Sequence, residues 1–157
     1  RMMIPLTAVL GRLIDLLISF VFLFVLMAWY RTAPTAWIVL LPVLVILSVL
    51  PAAGLGMWLG ALAVQYRDVR YAAPFAIQLL MYAAPVVYPT SLVPASVRPF
   101  YALNPMVGVI EGFRACLLGS IPVPWGMMAM SAVGGLIILI GGKVYFTRKE
   151  EVFADVA

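Results

Sequence analysis

Chemistry needs groups that exchange protons, attack, or hold a metal, and this chain has few of them. Its carboxylates are Asp15, Asp68, Glu111, Glu150, Glu151 and Asp155, histidine is absent, and Cys116 is the sole cysteine. No Cys/His metal set or intrachain disulfide is therefore expected, and Cys116 reads as a small apolar filler. A general acid/base pair must converge on one reacting atom, whereas these acids are scattered along the chain. A phosphate-cradling G-x-x-x-x-G-K-[ST] loop is missing as well. The expectation is a protein that is not an enzyme and carries no cofactor of its own. One region does gather ring faces and polar groups: Phe75, Tyr82, Tyr88, Phe100 and Tyr101, followed by Glu111 and Arg114. Ring faces can stack on sugars and phenols can hydrogen-bond, but an interfacial aromatic belt would use the same residues.

The elements that must position these groups are set by composition. Of 157 residues, 66% are hydrophobic and 10% charged, with a mean hydropathy of +1.14. A soluble domain of this size holds about 45–50% apolar and about 25% charged residues. The solvent for so much apolar surface is a bilayer, so the chain is an all-α integral membrane protein with membrane lipids as neighbours. Its formal charge of +4 does not mark a nucleic-acid binder, because the cations flank apolar runs and form no basic cluster. The chain opens on Arg1 inside an apolar run, without a charged leader and cleavage site. It is expected to be the N-terminally truncated part of a longer protein.

Four spans are expected, at about 13–30, 36–64, 71–89 and 125–146, within one membrane domain over 1–157. The first is preceded by an interfacial piece, Arg1–Arg12, where Pro5 and Gly11 limit helix continuity. It closes on the interfacial aromatics Trp29 and Tyr30, and Asp15 near its start is expected to pair with Arg12 three residues earlier. The second is longer than a perpendicular crossing needs, with kink sites at Pro42 and Pro51. Its Ala52, Gly56 and Gly60 recur every four residues, a small-residue stripe for close helix contact. The third contains Pro74, Gln78 and Pro85, and the fourth has Gly134–Gly135 and Gly141–Gly142 for close contacts. The ending Thr147–Ala157 reads as a soluble tail.

Four spans place both ends on one side. That side receives Arg1, Arg12, Arg67, Arg70, Lys143, Arg148 and Lys149, the other only Arg31, Arg98 and Arg114. By the positive-inside rule both ends are cytoplasmic. The stretch of about 90–119 is then extracytoplasmic. On a helical projection Asn104, Gly108, Glu111, Gly112 and Ala115 share a small or polar arc, opposite Met106, Val109, Ile110, Phe113, Cys116 and Leu117. Asn104 is the expected N-cap with Pro105 at the first helical position, and Glu111 is expected to pair with Arg114. This short hairpin either lies flat on the membrane surface or dips in and returns, its polar arc on a water-filled route.

A run of motifs crosses this region: Tyr66-Arg67-Asp68-Val69-Arg70, Pro74-Phe75 and Gln78, Pro85-Val86, Tyr88-Pro89, Leu103-Asn104-Pro105-Met106, and Glu111-Gly112-Phe113-Arg114, with Phe153-Ala154-Asp155-Val156 at the end. In this order and spacing the chain resembles the permease subunits of type 2 ABC exporters, especially those for bacterial polysaccharides such as O antigen, capsule and teichoic acid. The resemblance implies a six-span permease of which this chain supplies the last four spans. It also implies a homodimer, a second permease copy working with two nucleotide-binding ATPase subunits that hold ATP and Mg. The substrate would be a lipid-linked polysaccharide, moved across the bacterial cytoplasmic (inner) membrane. On that reading Tyr66, Arg67, Asp68 and Arg70 contact the ATPase, although Asp68 could equally pair with its neighbouring arginines. On the same reading Phe75, Tyr82, Tyr88, Phe100, Tyr101, Glu111 and Arg114 are candidates for the substrate path.

Two alternatives stay open at this point: a type 2 permease for drugs or small lipids, and a non-transporting membrane scaffold. An enzyme of lipid-linked sugars is disfavoured by the scattered acids.

Overall fold

The computed structural model describes residues 3–94, 96–119 and 121–154, and among them there are six α-helices and no strand. Three helical stretches are long and apolar enough to cross a membrane, Gly11–Trp29, Ala36–Gln65 and Trp125–Lys149. With the large apolar side chains on their outer surfaces, such as Val21, Phe22 and Ile137, each more than 60% exposed, they make this a multi-pass membrane protein.

Helix α1 (Met3–Trp29) is continuous through the expected interfacial break. Pro5 falls in its first turn, where the backbone N–H has no intrahelical partner to lose. Asp15 pairs with Arg12 at 3.1 Å, both side chains exposed. The helix closes at Arg31, whose φ of 54° is left-handed, while Thr32 N–H returns to the Met27 carbonyl. After a 3₁₀ turn at Ala36–Leu40, α2 runs over Leu41–Gln65. Pro42 therefore sits at the helix start, where its fixed φ suits the first turn, rather than at an internal kink. Pro51 is the proline inside α2.

The long helix α6 (Trp125–Ala154) packs along α2. A side-chain carbon at Gly54 would lie 2.6 Å from the Ile138 carbonyl, and one at Gly142 would strike the Gly54 carbonyl. These two glycines let the backbones meet. The expected stripe does not make that contact, since Gly56 and Gly60 face open space. Four-residue spacing marked a small face, but Pro51, Ala53, Gly54, Met57 and Ala61 form the buried one. Helix α6 also continues past the expected end of its span. Arg148, Lys149, Glu150 and Glu151 are good helix formers and carry the helix toward Ala154. The last three residues of the expected tail lie outside the described residues.

The expected third span differs most. Helix α3 covers Val69–Tyr82, fourteen residues, or about 21 Å at 1.5 Å per residue, against about 30 Å of hydrocarbon. From Ala83 the chain proceeds in turns, and after a 3₁₀ turn at Thr90–Leu92 come the short α4 (Arg98–Tyr101) and α5 (Pro105–Leu118).

Candidate functional site

Helix α5 is built as its sequence dictates at both ends. Asn104 Oδ1 accepts from the Met106 N–H at 3.0 Å with Pro105 in the first turn, and Gly119 closes the helix in the left-handed region at φ 62°. Between the caps both arcs are buried: Gly108, Glu111, Gly112 and Ala115 of the small one, and Val109, Cys116 and Leu117 of the apolar one. A side-chain carbon at Gly108 would strike the Met127 carbonyl and Ser131 of α6, and one at Gly112 would lie 2.6 Å from Leu44 of α2. Leu44, Cys116 and Met128 form a fully packed cluster bordered by Leu40, Leu47, Phe113 and Val123, and Phe20 of α1 meets Phe113 at 5.7 Å.

The hairpin packs alongside α6 rather than beyond its end. Leu103 and Pro105 lie beside Gly134 of α6, nine residues after Trp125 and so about 14 Å along the helix. The other end of α5 is at the helix start, where Thr35 Oγ1 and N–H both donate to the Cys116 carbonyl. Trp37 and Trp125 meet edge to face at 5.7 Å in the same end layer. Gly108 admits α6 and Gly112 admits Leu44 of α2, as small residues do between membrane helices.

Where α3 breaks off, its last carbonyls lose their intrahelical partners. The carbonyls released there find new ones in side chains. Tyr88 Oη donates to the Tyr82 carbonyl at 2.8 Å, Asn104 Nδ2 to that of Ala83 at 3.1 Å, and Arg114 Nη2 to that of Pro85 at 2.9 Å. Arg114 Nη1 also pairs with Glu111 Oε1 at 2.6 Å. The same carboxylate oxygen accepts from the Thr90 backbone N–H at 3.1 Å and its hydroxyl at 2.8 Å. Glu111 is only 2% exposed, so its charge is met entirely by Arg114 and Thr90. Tyr101 Oη donates to Tyr88 Oη at 3.0 Å, with the rings 6.3 Å apart. Burial, and then this hydrogen bond, push the Tyr101 phenol up, so it remains a donor.

The candidate residues thus fall into three places. Tyr88 with Tyr101, and Glu111 with Arg114, form two hydrogen-bonded pairs that each bond the backbone around the end of α3. Phe75, Tyr82 and Phe100 present exposed rings, at 65%, 56% and 72% of their surface. Tyr66, Arg67, Asp68 and Arg70 lie in and beside the turn between α2 and α3 and are exposed. Among the described residues Asp68 makes no ion pair with its neighbouring arginines. Arg98, the first residue of α4, is tied instead to the carbonyls of Ser91 and Val93.

Sequence reasoning missed Thr90, Thr35 and the second bond of Asn104. The pairs that were legible, Asn104 with Met106 and Glu111 with Arg114, are local on a helix. Thr90 reaches a partner 21 residues away and Thr35 one 81 residues away, which no periodicity reveals. Beside Tyr101 lies an apolar cavity of about 460 Å³, between Pro51 and Leu55 of α2, Leu80 of α3, Met106 of α5 and Ile138 of α6.

Comparison with known proteins extends this picture. The chain is 30% identical over 155 residues to the O-antigen export system permease protein RfbA of Myxococcus xanthus, covering 97% of this chain and 59% of that protein. It is 21% identical over 157 residues to an O-antigen export system permease protein RfbA of Klebsiella pneumoniae, covering 99% of this chain and 60% of the relative. The chain therefore spans about three-fifths of the length of these relatives. The family model for the ABC-2 type transporter matches residues 3–118, from α1 through the end of α5, and the chain belongs to that family.

Proposed function

We propose that this chain is the C-terminal portion of the permease subunit of an ATP-driven exporter, and that the complete transporter moves lipid-linked polysaccharide across the bacterial cytoplasmic membrane. The observation that carries the reading is the likeness to an O-antigen export permease along nearly the entire chain, hairpin included. Two permease copies form the channel, and two separate ATPase subunits hold ATP and Mg. This chain contributes no catalytic residue.

In this arrangement α1, α2 and α6 cross the membrane, and α3 with the turns after it completes a fourth crossing. Both ends and the turn between α2 and α3 face the cytoplasm. There Tyr66, Arg67, Asp68 and Arg70 are open to a partner, and the unpaired acid and two arginines suit a surface of mixed charge on the ATPase. The exposed rings of Phe75, Tyr82 and Phe100 line the route and stack on sugar faces without fixing one sugar identity. Tyr88 and Tyr101 add ring surface at the outer turn, and Glu111 with Arg114 holds that turn in shape.

The test uses the full-length permease restored to a deletion strain, with surface polysaccharide as the readout. Phe75→Ala or Tyr82→Ala is expected to reduce surface polymer by about three- to tenfold, the range that one ring contact is worth. Assembly with the ATPase should be unchanged. Normal polymer in the deletion strain, with altered tolerance to drugs, would overturn the reading.

A further inference from the structure

Helix α3 is fastened at one end and barely held elsewhere. It has no buried residue, and its side chains from Pro74 to Tyr82 are exposed throughout. Its outer end is different. The carbonyls of Tyr82, Ala83 and Pro85 are bonded by Tyr88, Asn104 and Arg114 in turn. Two of these donors belong to the α5 unit, which is itself immobilised between α2 and α6. Asn104 commits both ends of its amide, Oδ1 to the cap of α5 and Nδ2 to Ala83. A single side chain thus ties the start of one helix to the broken end of another.

We infer that Asn104, together with Tyr88 and Arg114, is a positioning residue that makes the broken outer end of α3 a pivot, so that a push on the Gln65–Arg70 turn swings α3 and changes the width of the adjacent cavity. The inference rests on the proposed contact between that turn and the ATPase. Three features support it. The clasp bonds backbone carbonyls, so it restrains position without gripping the length of the helix. The cavity has Leu80 and Ala83 on one wall and Pro51, Leu55 and Ile138 on the others, leaving room for α3 to move toward α2 and α6. The opposite end of α3 follows an exposed turn where Val69, Arg70 and Tyr71 bond back only to Tyr66, Arg67 and Asp68.

The test is a pair of spin-label distances in the full-length permease assembled with its ATPase in lipid nanodiscs, on a Cys116→Ala background. One pair, at Tyr71 and Val144, reports the cytoplasmic end of α3 against α6. The other, at Met81 and Met130, reports the outer end. All four positions are exposed. Tyr71 lies about 17 Å from Tyr82 along the helix and Met81 about 1.5 Å. Trapped ATP should therefore shift the first distance roughly tenfold more than the second. Asn104→Ser keeps an oxygen that can cap α5 but loses the reach to Ala83. It should broaden the outer distance into more than one population and raise the ATP consumed per polymer exported. If that variant does not fold, Arg114→Lys, which preserves the charge opposite Glu111 but not the guanidinium fork, takes its place. Equal shifts at both ends, no shift at either, or a variant whose outer distance stays single and unchanged would overturn the pivot. Failure of the export reading looks different: the two distances respond as described, yet no polymer crosses.

Discussion

Helices α3 and α5 are each fourteen residues long and flank the same set of turns, yet α3 has no buried residue and α5 has eight. Hydrophobicity does not separate them, since both are rich in apolar side chains. Among lipid tails an apolar side chain gains little by moving against protein. What draws a helix inward is a backbone that can be approached closely and polar groups that need partners. Helix α5 has both, in Gly108, Gly112 and Ala115 and in Glu111 with Arg114. Helix α3 has Tyr71, Phe75, Leu79 and Tyr82 around its surface and no glycine, its mid-helix amide Gln78 is exposed, and the side-chain hydrogen bonds it receives are at the broken end.

This contrast breaks hardest at the buried charge. Glu111→Ala leaves the Arg114 guanidinium without its counter-ion, and breaking such a buried pair costs about 3–5 kcal/mol. The full-length protein should lose its sharp size-exclusion peak after extraction in detergent. A normal peak and unchanged melting would refute the role of the pair. Gly108→Ala tests the approach of backbones, because the added carbon meets the Met127 carbonyl. A loss of about 1–3 kcal/mol is expected for overpacking, read as a lower melting temperature. Ala76→Leu on exposed α3 should stay within about 0.5 kcal/mol; equal effects at the two sites would erase the contrast. The smallest change belongs to the exposed pair near the start of the chain. Asp15→Asn should shift stability by at most about 0.5 kcal/mol, and a larger loss in the same melting assay would mean that Asp15 has a partner beyond Arg12.

The same physics decides what could be read in advance. The membrane setting, the three long apolar helices, the cap at Asn104 and the two i,i+3 ion pairs were legible, since each follows from composition or from spacing along one helix. The packing of the hairpin was harder to read. Its small arc was visible, but Glu111 on that arc suggested a wet face, whereas Thr90 and Arg114 satisfy the carboxylate inside the protein. The early end of α3 was hidden for a similar reason. Ala83–Tyr88 is apolar enough to continue a span, and only the three side chains bonded to carbonyls at 82, 83 and 85 show how the helix can stop there. In α2 every stretch is apolar and small residues are frequent, so spacing could not distinguish Gly54, which meets α6, from Gly56 and Gly60, which do not.

The tie between Thr35 and the Cys116 carbonyl has a consequence in time. A ribosome working at about 5–20 residues per second makes the second partner about 4–16 s after the first, since 81 residues separate them. During that interval the loop after α1 has no acceptor to close on, although α1 and α2 can already lie in lipid. The loop after α1 therefore closes only when α5 arrives, and a nascent chain stopped before Cys116 would leave that loop open to proteolysis.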